Sequence, residues 1–196
     1  MRGYERLMKL LAEVQRADRL VAQAAGWRIP ARVGRVLSVA EEAAESSKLW
    51  CGAAVAMAVG GGWRGRKAAA AGLAALVVGQ LVSNGLGKQL ADRPRPPKEW
   101  YPHDETDDRP DSSSFPSGHT AAAIAFTAAV APTWPAAGLA CAVPAALVAV
   151  ERVQSGAHYL SDVAAGAAIG LLSARLTRTR CPVLLRRTLE PAHLVP

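Results

Sequence analysis

Two long stretches of this sequence, residues 68–87 and 120–150, contain no charged side chain. The first has the length, about 20 apolar residues, that a helix needs to cross the hydrocarbon of a bilayer. The second is interrupted by Pro132, Trp134 and Pro135. That interruption predicts two helices joined by a tight turn, because proline has no amide hydrogen with which to continue a helix. Each arm is short for a span, so the helices are expected to borrow flanking residues, Ser117 to Thr120 among them, or to sit where the bilayer thins. Further apolar stretches cover 49–62 and 163–174. The chain therefore reads as an all-α, multi-span membrane helix bundle, with a soluble bundle of Ala-rich buried helices as the alternative. Bulk composition does not separate the two, since 51% hydrophobic residues with 5% aromatic ones suits either.

The formal charge of +7 does not point to nucleic acid, because the cations sit beside the apolar segments rather than along one recognition stripe. Arg64, Arg66 and Lys67 precede the 68–87 stretch, and Arg175, Arg178, Arg180, Arg186 and Arg187 follow the last one. Positive charge collects on the cytoplasmic side, so both groups are expected there, with Trp63 and Trp134 as interfacial anchors at the same level. Counting crossings from that assignment, the segment from Lys88 to His119 and the segment around Glu151 both emerge on the extracytoplasmic face. A first span at 49–62 would put the Arg-rich N-terminus there too, a conflict that an interfacial or re-entrant first helix would remove.

Leu7, Leu10, Leu11, Val14 and Val21 recur at helical spacing among Arg6, Lys9, Arg16 and Arg19. This is the pattern of an amphipathic helix lying in the membrane interface, or of a solvated helix packed on the domain. Residues Met1 to Trp27 mix charges throughout and lack the continuous apolar core of a signal peptide, so the mature chain is expected to begin at or near Met1. Cys51, Cys141 and Cys181 have no metal-ligand spacing and read as idle thiols. His103, Asp104, Glu105, Asp107 and Asp108 lie in a Pro-rich polar segment without a regular ligand pattern, and read as a solvated loop rather than a metal site.

Three short stretches carry the candidate chemistry: Lys88 with Arg95-Pro96, then Pro116-Ser117-Gly118-His119, then Arg152 with His158 and Asp162. Ser117 is a natural N-cap ahead of the apolar run from Thr120, and Gly118 leaves the backbone open to close approach. Free N–H groups at such a helix start favour an anion, over which His119 would be poised. His158 and Asp162 are four apart, so on a helix they share a face. A carboxylate on one imidazole nitrogen would fix the tautomer and leave the other nitrogen free to attack phosphorus. Lys88, Arg95 and Arg152 are cations suited to phosphate oxygens. Each element alone is commonplace, as a helix cap, a helix-face pair or membrane-edge charge; their combination is what phosphoryl transfer through histidine without a metal requires.

In that combination the sequence closely resembles the type 2 phosphatidic acid phosphatase superfamily, which includes membrane lipid phosphate phosphatases, soluble bacterial acid phosphatases and vanadium haloperoxidases. The family pattern, Lys, six residues, Arg-Pro; Pro-Ser-Gly-His; Ser-Arg, five residues, His, three residues, Asp, is matched in order at Lys88, Arg95, Pro96, Pro116, Ser117, Gly118, His119, Arg152, His158 and Asp162. Glu151 departs, standing where the pattern usually has Ser; it would either hold the Arg152 guanidinium or repel an anionic substrate. The doubled Arg93-Pro94-Arg95-Pro96 offers two registers, and only Arg95 has the family spacing from Lys88.

The resemblance implies a metal-independent, cofactor-free phosphatase built as a membrane helix bundle of the phosphatidic acid phosphatase/haloperoxidase type. Lys88, Arg95, Arg152 and the Ser117-Gly118 backbone would bind the phosphoryl group. His158, oriented by Asp162, would attack it, and His119 would protonate the leaving oxygen and then activate water. Residues 1–30 are expected to form the amphipathic N-terminal helix, 31–176 the membrane domain, and 177–196 a basic cytoplasmic tail. The expected setting is a bacterial cytoplasmic membrane, and the expected substrate a lipid phosphate: phosphatidic acid, phosphatidylglycerol phosphate, or a polyprenyl phosphate or pyrophosphate. A haloperoxidase using vanadate, a phosphatase of soluble esters and a catalytically silent membrane scaffold are the competing readings.

Overall fold

A computed structural model describes residues 2–25, 30–101 and 112–189; the acidic segment from His103 to Asp111 lies outside the described residues. All of the regular structure described is helical. In chain order the helices are α1 (Arg2–Ala25), α2 (Ala31–Ala44), α3 (Lys48–Gly60), α4 (Gly62–Gln80), the one-turn α5 (Lys88–Leu90), α6 (Gly118–Val130), α7 (Pro135–Gln154) and α8 (Leu160–Leu189). A π-helical segment, Leu81–Gly87, joins α4 to α5 without a break. The uncharged run 120–150 is two helices, as its prolines predict, with Pro135 opening α7, where its missing N–H costs nothing. Both arms extend into flanking residues: α6 starts at Gly118 and α7 continues through Arg152 to Gln154. The last helix runs past the boundary expected at residue 176, to Leu189.

Three helical stretches, Gly62–Gly87, Pro135–Gln154 and Leu160–Arg178, are long and apolar enough to cross a membrane, with Gly118–Val130 a shorter apolar helix beside them. Their outward faces carry Val77, Leu81, Leu86, Leu139, Val143, Leu171 and Leu172, all exposed. Apolar side chains in that number would be costly against water and are at no disadvantage against lipid.

The interior is built from small residues, so that backbones approach closely. Helix α6 buries five alanines (Ala121, Ala122, Ala123, Ala125 and Ala129) and packs against α4, α7 and α8. Gly166 and Gly170, one turn apart on α8, face it. A methyl group on Gly166 would overlap the Ser117 carbonyl oxygen, and one on Gly170 would lie 2.7 Å from the Ala121 carbonyl oxygen. This is the small-xxx-small contact of membrane helices, in which van der Waals packing replaces a hydrophobic drive that lipid cannot supply. On the other side of α6, the Phe126 ring lies over Gly72 and stands 5.4 Å from the Trp50 ring, centroid to centroid.

The bundle has two distinguishable ends. At one, Arg64 Nε donates to the Thr133 carbonyl at 2.8 Å and Gly61 lies against the Trp134 ring, so the α3–α4 and α6–α7 turns meet. Trp63 and Trp134 fall at this end together. At the other, Lys88, His119, Arg152 and His158 meet. Because α3 leads toward the Gly61 turn while Glu41 of α2 pairs with Arg152 at the end of α7, helix α2 belongs to the second end. So does the C-terminal part of α1, whose Ala25 carbonyl accepts from the Gln154 side chain. The N-terminal helices therefore sit beside the candidate site, at the end of the bundle away from Arg64. Helix α1 uses Asp18 and Ala22 as its buried contacts, while Leu7, Leu10, Leu11 and Val14 stay exposed. Its apolar stripe is thus left uncovered by the described protein, as an interfacial helix requires and a solvated one packed by that stripe would not show.

Candidate active site

The three motif stretches converge on one cavity of about 220 Å³ lined by Gln80, Asn84, Lys88, Arg95, Gly118, His119, Arg152 and His158. Three of these are cations, two are histidines and none is a carboxylate. Asp162 and Ser117, also singled out in the sequence, lie behind the lining rather than in it.

Local structure explains each position. The wider π-helical turn ahead of Lys88 changes the register of the helix end, and Gly87 there lets the chain pass close to the Pro116 ring, where a Cβ would stand 2.7 Å from Pro116 Cδ. Lys88 Nζ donates to Ser112 Oγ at 3.1 Å. Burial, then the charge of Arg95, lowers the Lys88 pKa from its ordinary value. Arg95 Nη1 donates to the Ala157 carbonyl at 2.6 Å, fixing the guanidinium next to His158. Ser117 caps α6 as expected: its Oγ accepts from the Thr120 N–H at 3.4 Å, and its own N–H donates to the Asp162 carbonyl at 3.0 Å. That second bond joins the start of α6 to the start of α8. At Gly118 the open space is shared with Asn84, whose Oδ1 would be 2.5 Å from a Cβ. Asn84 and Gln80, hydrogen-bonded to each other, are lining residues that no motif identified. Their signal was faint: two amides near the end of an otherwise apolar span.

Arg152 is buried, and Glu151 Oε2 lies 2.5 Å from both its Nε and its Nη2. Glu41 of α2 takes the same Nη2. Of the two roles open to Glu151 in the sequence, the geometry is that of a holder.

His158 departs from the expected arrangement. It is not helical: α8 begins at Leu160, and His158 lies in the preceding turn, after Gly156 with φ of +66°. The helical i,i+4 geometry assumed for His158 and Asp162 is therefore absent. The imidazole Nδ1 donates to the Ser114 carbonyl at 2.6 Å, and the nearest oxygen of Asp162 is 4.0 Å away. A carbonyl can only accept, so Nδ1 carries the proton and Nε2 keeps its lone pair. The chemical outcome expected from Asp162, a fixed tautomer, is supplied directly by Ser114. Asp162 Oδ2 instead accepts the Tyr159 N–H at 2.9 Å, and Oδ1 is 2.5 Å from Arg93 Nη1.

Burial, followed by the charge of Arg95, holds His158 down to about 3. The imidazole is thus neutral and nucleophilic at any physiological pH. The same shift has a consequence for stability. Above the unfolded-state value of about 6.5 neither state binds the proton. As pH falls from there toward 3, the unfolded chain takes it up and the folded one does not, so folding is progressively disfavoured. Thermal unfolding of wild type and His158→Asn between pH 7 and pH 4 checks this: the wild-type midpoint should fall more steeply.

Among known proteins, residues 68–182 match the profile of the PAP2 superfamily. Two lipid A 1-phosphatases are similar over part of their length: that of Rhizobium johnstonii is 43% identical over 79 residues, 37% of this chain and 31% of the relative. That of Rhizobium etli is 44% identical over 80 residues, 37% of this chain and 33% of the relative. The matched segment thus spans about a third of the length of these curated relatives. The crystal structure of a transmembrane PAP2-type phosphatidylglycerolphosphate phosphatase from Bacillus subtilis superposes with a TM-score of 0.64 at 23% identity, covering 92% of this chain and 90% of that one. It shares the fold. With well over half of its length matched by the family profile, and with the family's three motifs gathered at one end of the same kind of bundle, the chain belongs to the PAP2 superfamily.

Proposed function

We propose that the protein is a membrane lipid phosphate phosphatase that hydrolyses a phosphomonoester or pyrophosphate through a phosphohistidine intermediate. The observation that carries this reading is the single cavity in which His119 and His158 face three cations at the end of a membrane bundle. The phosphoryl oxygens are held by Lys88, Arg95 and Arg152 and by the N–H groups at the start of α6, where charge accumulates in the transition state. His158 Nε2 attacks phosphorus, and the phosphorus–oxygen bond to the lipid breaks as His119 gives its proton to the leaving oxygen. His119 then takes a proton from water, the resulting hydroxide attacks phosphorus, and the phosphorus–nitrogen bond breaks to release inorganic phosphate and regenerate His158.

A lipid substrate is supported by the exposed apolar helix faces and by the names of the relatives, lipid A 1-phosphatases and a phosphatidylglycerolphosphate phosphatase. These substrates share a terminal phosphate on a lipid, which is the group the cavity fits; phosphatidic acid and polyprenyl phosphates or pyrophosphates present it too. An extracytoplasmic active site is supported by the Arg64, Arg66 and Lys67 cluster at the opposite end of α4 from Lys88, while Arg16 and Arg19, which flank Asp18 on α1 at the site end, count against it.

The test is phosphate release in detergent with EDTA present, from lipid A, phosphatidylglycerol phosphate, phosphatidic acid and polyprenyl pyrophosphate. Release that survives EDTA is expected from at least one of them. Absence of release from every lipid by well-folded protein would overturn the reading.

A further inference from the structure

Of the two arginines in Arg93-Pro94-Arg95-Pro96, Arg95 lines the cavity and Arg93 points to its rear. Arg93 Nη1 meets Asp162 Oδ1 at 2.5 Å and Ser161 Oγ at 2.7 Å, while Nη2 meets Asp18 Oδ2 at 2.7 Å. Its guanidinium carbon stands 4.3 Å from the centre of the Tyr159 ring. Asp18, in turn, accepts the Ser161 N–H on Oδ1 at 2.9 Å and the Ser161 hydroxyl on Oδ2 at 2.6 Å. Asp18 is 3% exposed on a helix whose other described charged side chains face outward, and its bonds go to Arg93 and to Ser161, within the segment that carries His158 and Asp162.

We propose that Asp18 and Arg93 are positioning residues for the nucleophile: a chain from helix α1 through Arg93 that sets the Asp162 carboxylate behind His158. The inference rests on the phosphatase reading above for its kinetic consequence, but not for its geometry. Asp162 has one oxygen occupied by Arg93 and the other by the Tyr159 N–H, and is thereby kept 4.0 Å from Nδ1. At that distance it opposes the positive charge that develops on the imidazole when Nε2 attacks, while Nδ1–H keeps its bond to the Ser114 carbonyl. Released from Arg93, the carboxylate is free to take the Nδ1 proton itself and turn the ring away from the phosphoryl group. Arg93 also steadies the other wall of the site, since its N–H donates to Ser113 Oγ at 3.2 Å and its carbonyl accepts the Ser114 N–H at 2.9 Å. The active site thus extends to a helix that lies outside the three motifs and outside the 68–182 family match.

Asp18→Asn and Arg93→Lys test this in the full-length protein, purified in detergent and compared at equal folded concentration. Misplacement of a reacting group by a fraction of an ångström to an ångström costs up to about 100-fold in rate. The expected result is a fall in kcat of about 10- to 100-fold with KM changed by less than about twofold, and no further fall when Asp18→Asn is added to Asp162→Asn. A second readout needs no turnover: the ¹⁵N and ¹H resonances of His158 Nδ1–H should shift in Asp18→Asn. Variants with wild-type kcat and an unchanged His158 resonance would overturn the proposal. If the wild type releases no phosphate, the phosphatase reading falls, and the resonance alone decides the positioning role.

Discussion

Replacing His158 with alanine is expected to abolish phosphate release, with a loss on the order of 10⁴- to 10⁶-fold in kcat, the range over which a covalent nucleophile is missed when its neighbours remain. The cavity does not offer a second nucleophile in the same place. His119 enters from the start of α6, and the remaining lining residues are cations, amides and Gly118. On the proposed mechanism the loss should appear in kcat rather than KM, because Lys88, Arg95 and Arg152 would still hold the phosphoryl group. His119→Ala should cost less, about 10²- to 10⁴-fold, the range a general acid contributes, and least with a pyrophosphate, whose phosphate leaving group needs no proton. Single-turnover assays with a labelled lipid phosphate distinguish the two: the His158 variant forms no acid-labile phosphoprotein, while the His119 variant forms it slowly. Equal residual rates in both variants, or a labelled intermediate in His158→Ala, would contradict the assignment.

The second large effect is expected at a residue with no side chain. Gly166→Leu on α8 should prevent the bundle from closing. The obstacle is the carbonyl of Ser117, a backbone atom that cannot turn aside as a side chain would. Overpacking in a tight interior costs about 1–3 kcal/mol, and contact with backbone belongs at the upper end of that range. The damage would also be local to the chemistry, because Ser117 caps α6 and donates its N–H to the Asp162 carbonyl. Thermal unfolding in detergent should show a large drop in midpoint or no folded protein, whereas Gly52→Ala on α3, where a methyl meets nothing within 4 Å, should be neutral or slightly stabilising. A Gly166→Leu protein as stable as Gly52→Ala would mean that α6 and α8 do not approach as described.

Much of this architecture could be read from the chain because its signals are local. The break at Pro132 to Pro135, the cap at Ser117 and the spans themselves depend on residues a few positions apart, and proline geometry and helix termini leave the chain little choice. The three motif stretches were legible for a different reason: fixed spacings of unusual residues recur in a family. What escaped was set by contacts between distant parts of the chain. Arg93 meets Asp18 across 75 positions, and Arg152 meets Glu41 across 111; no periodicity in α1 or α2 marks which acidic residue turns inward. The hydrogen-bond partner of His158 is not legible in the sequence, because a four-residue spacing suggests a helix face, whereas Gly156 turns the chain so that α8 starts two residues after His158. Asn84 and Gln80 look like ordinary polar interruptions of an apolar span until the fold brings them under Gly118.

One consequence follows from the pair of carboxylates around Arg152. A guanidinium with both Glu151 and Glu41 on it is outnumbered by its countercharges, so seen from a distance the cluster is net negative. It does not draw anions in from afar; at contact it still presents a rigid, planar fork whose orientation is set before anything arrives. The three cations of the cavity therefore divide between attraction, centred on the Lys88 and Arg95 side, and alignment, centred on Arg152. On the proposed mechanism, Glu151 and Glu41 make Arg152 a template of direction rather than a source of charge.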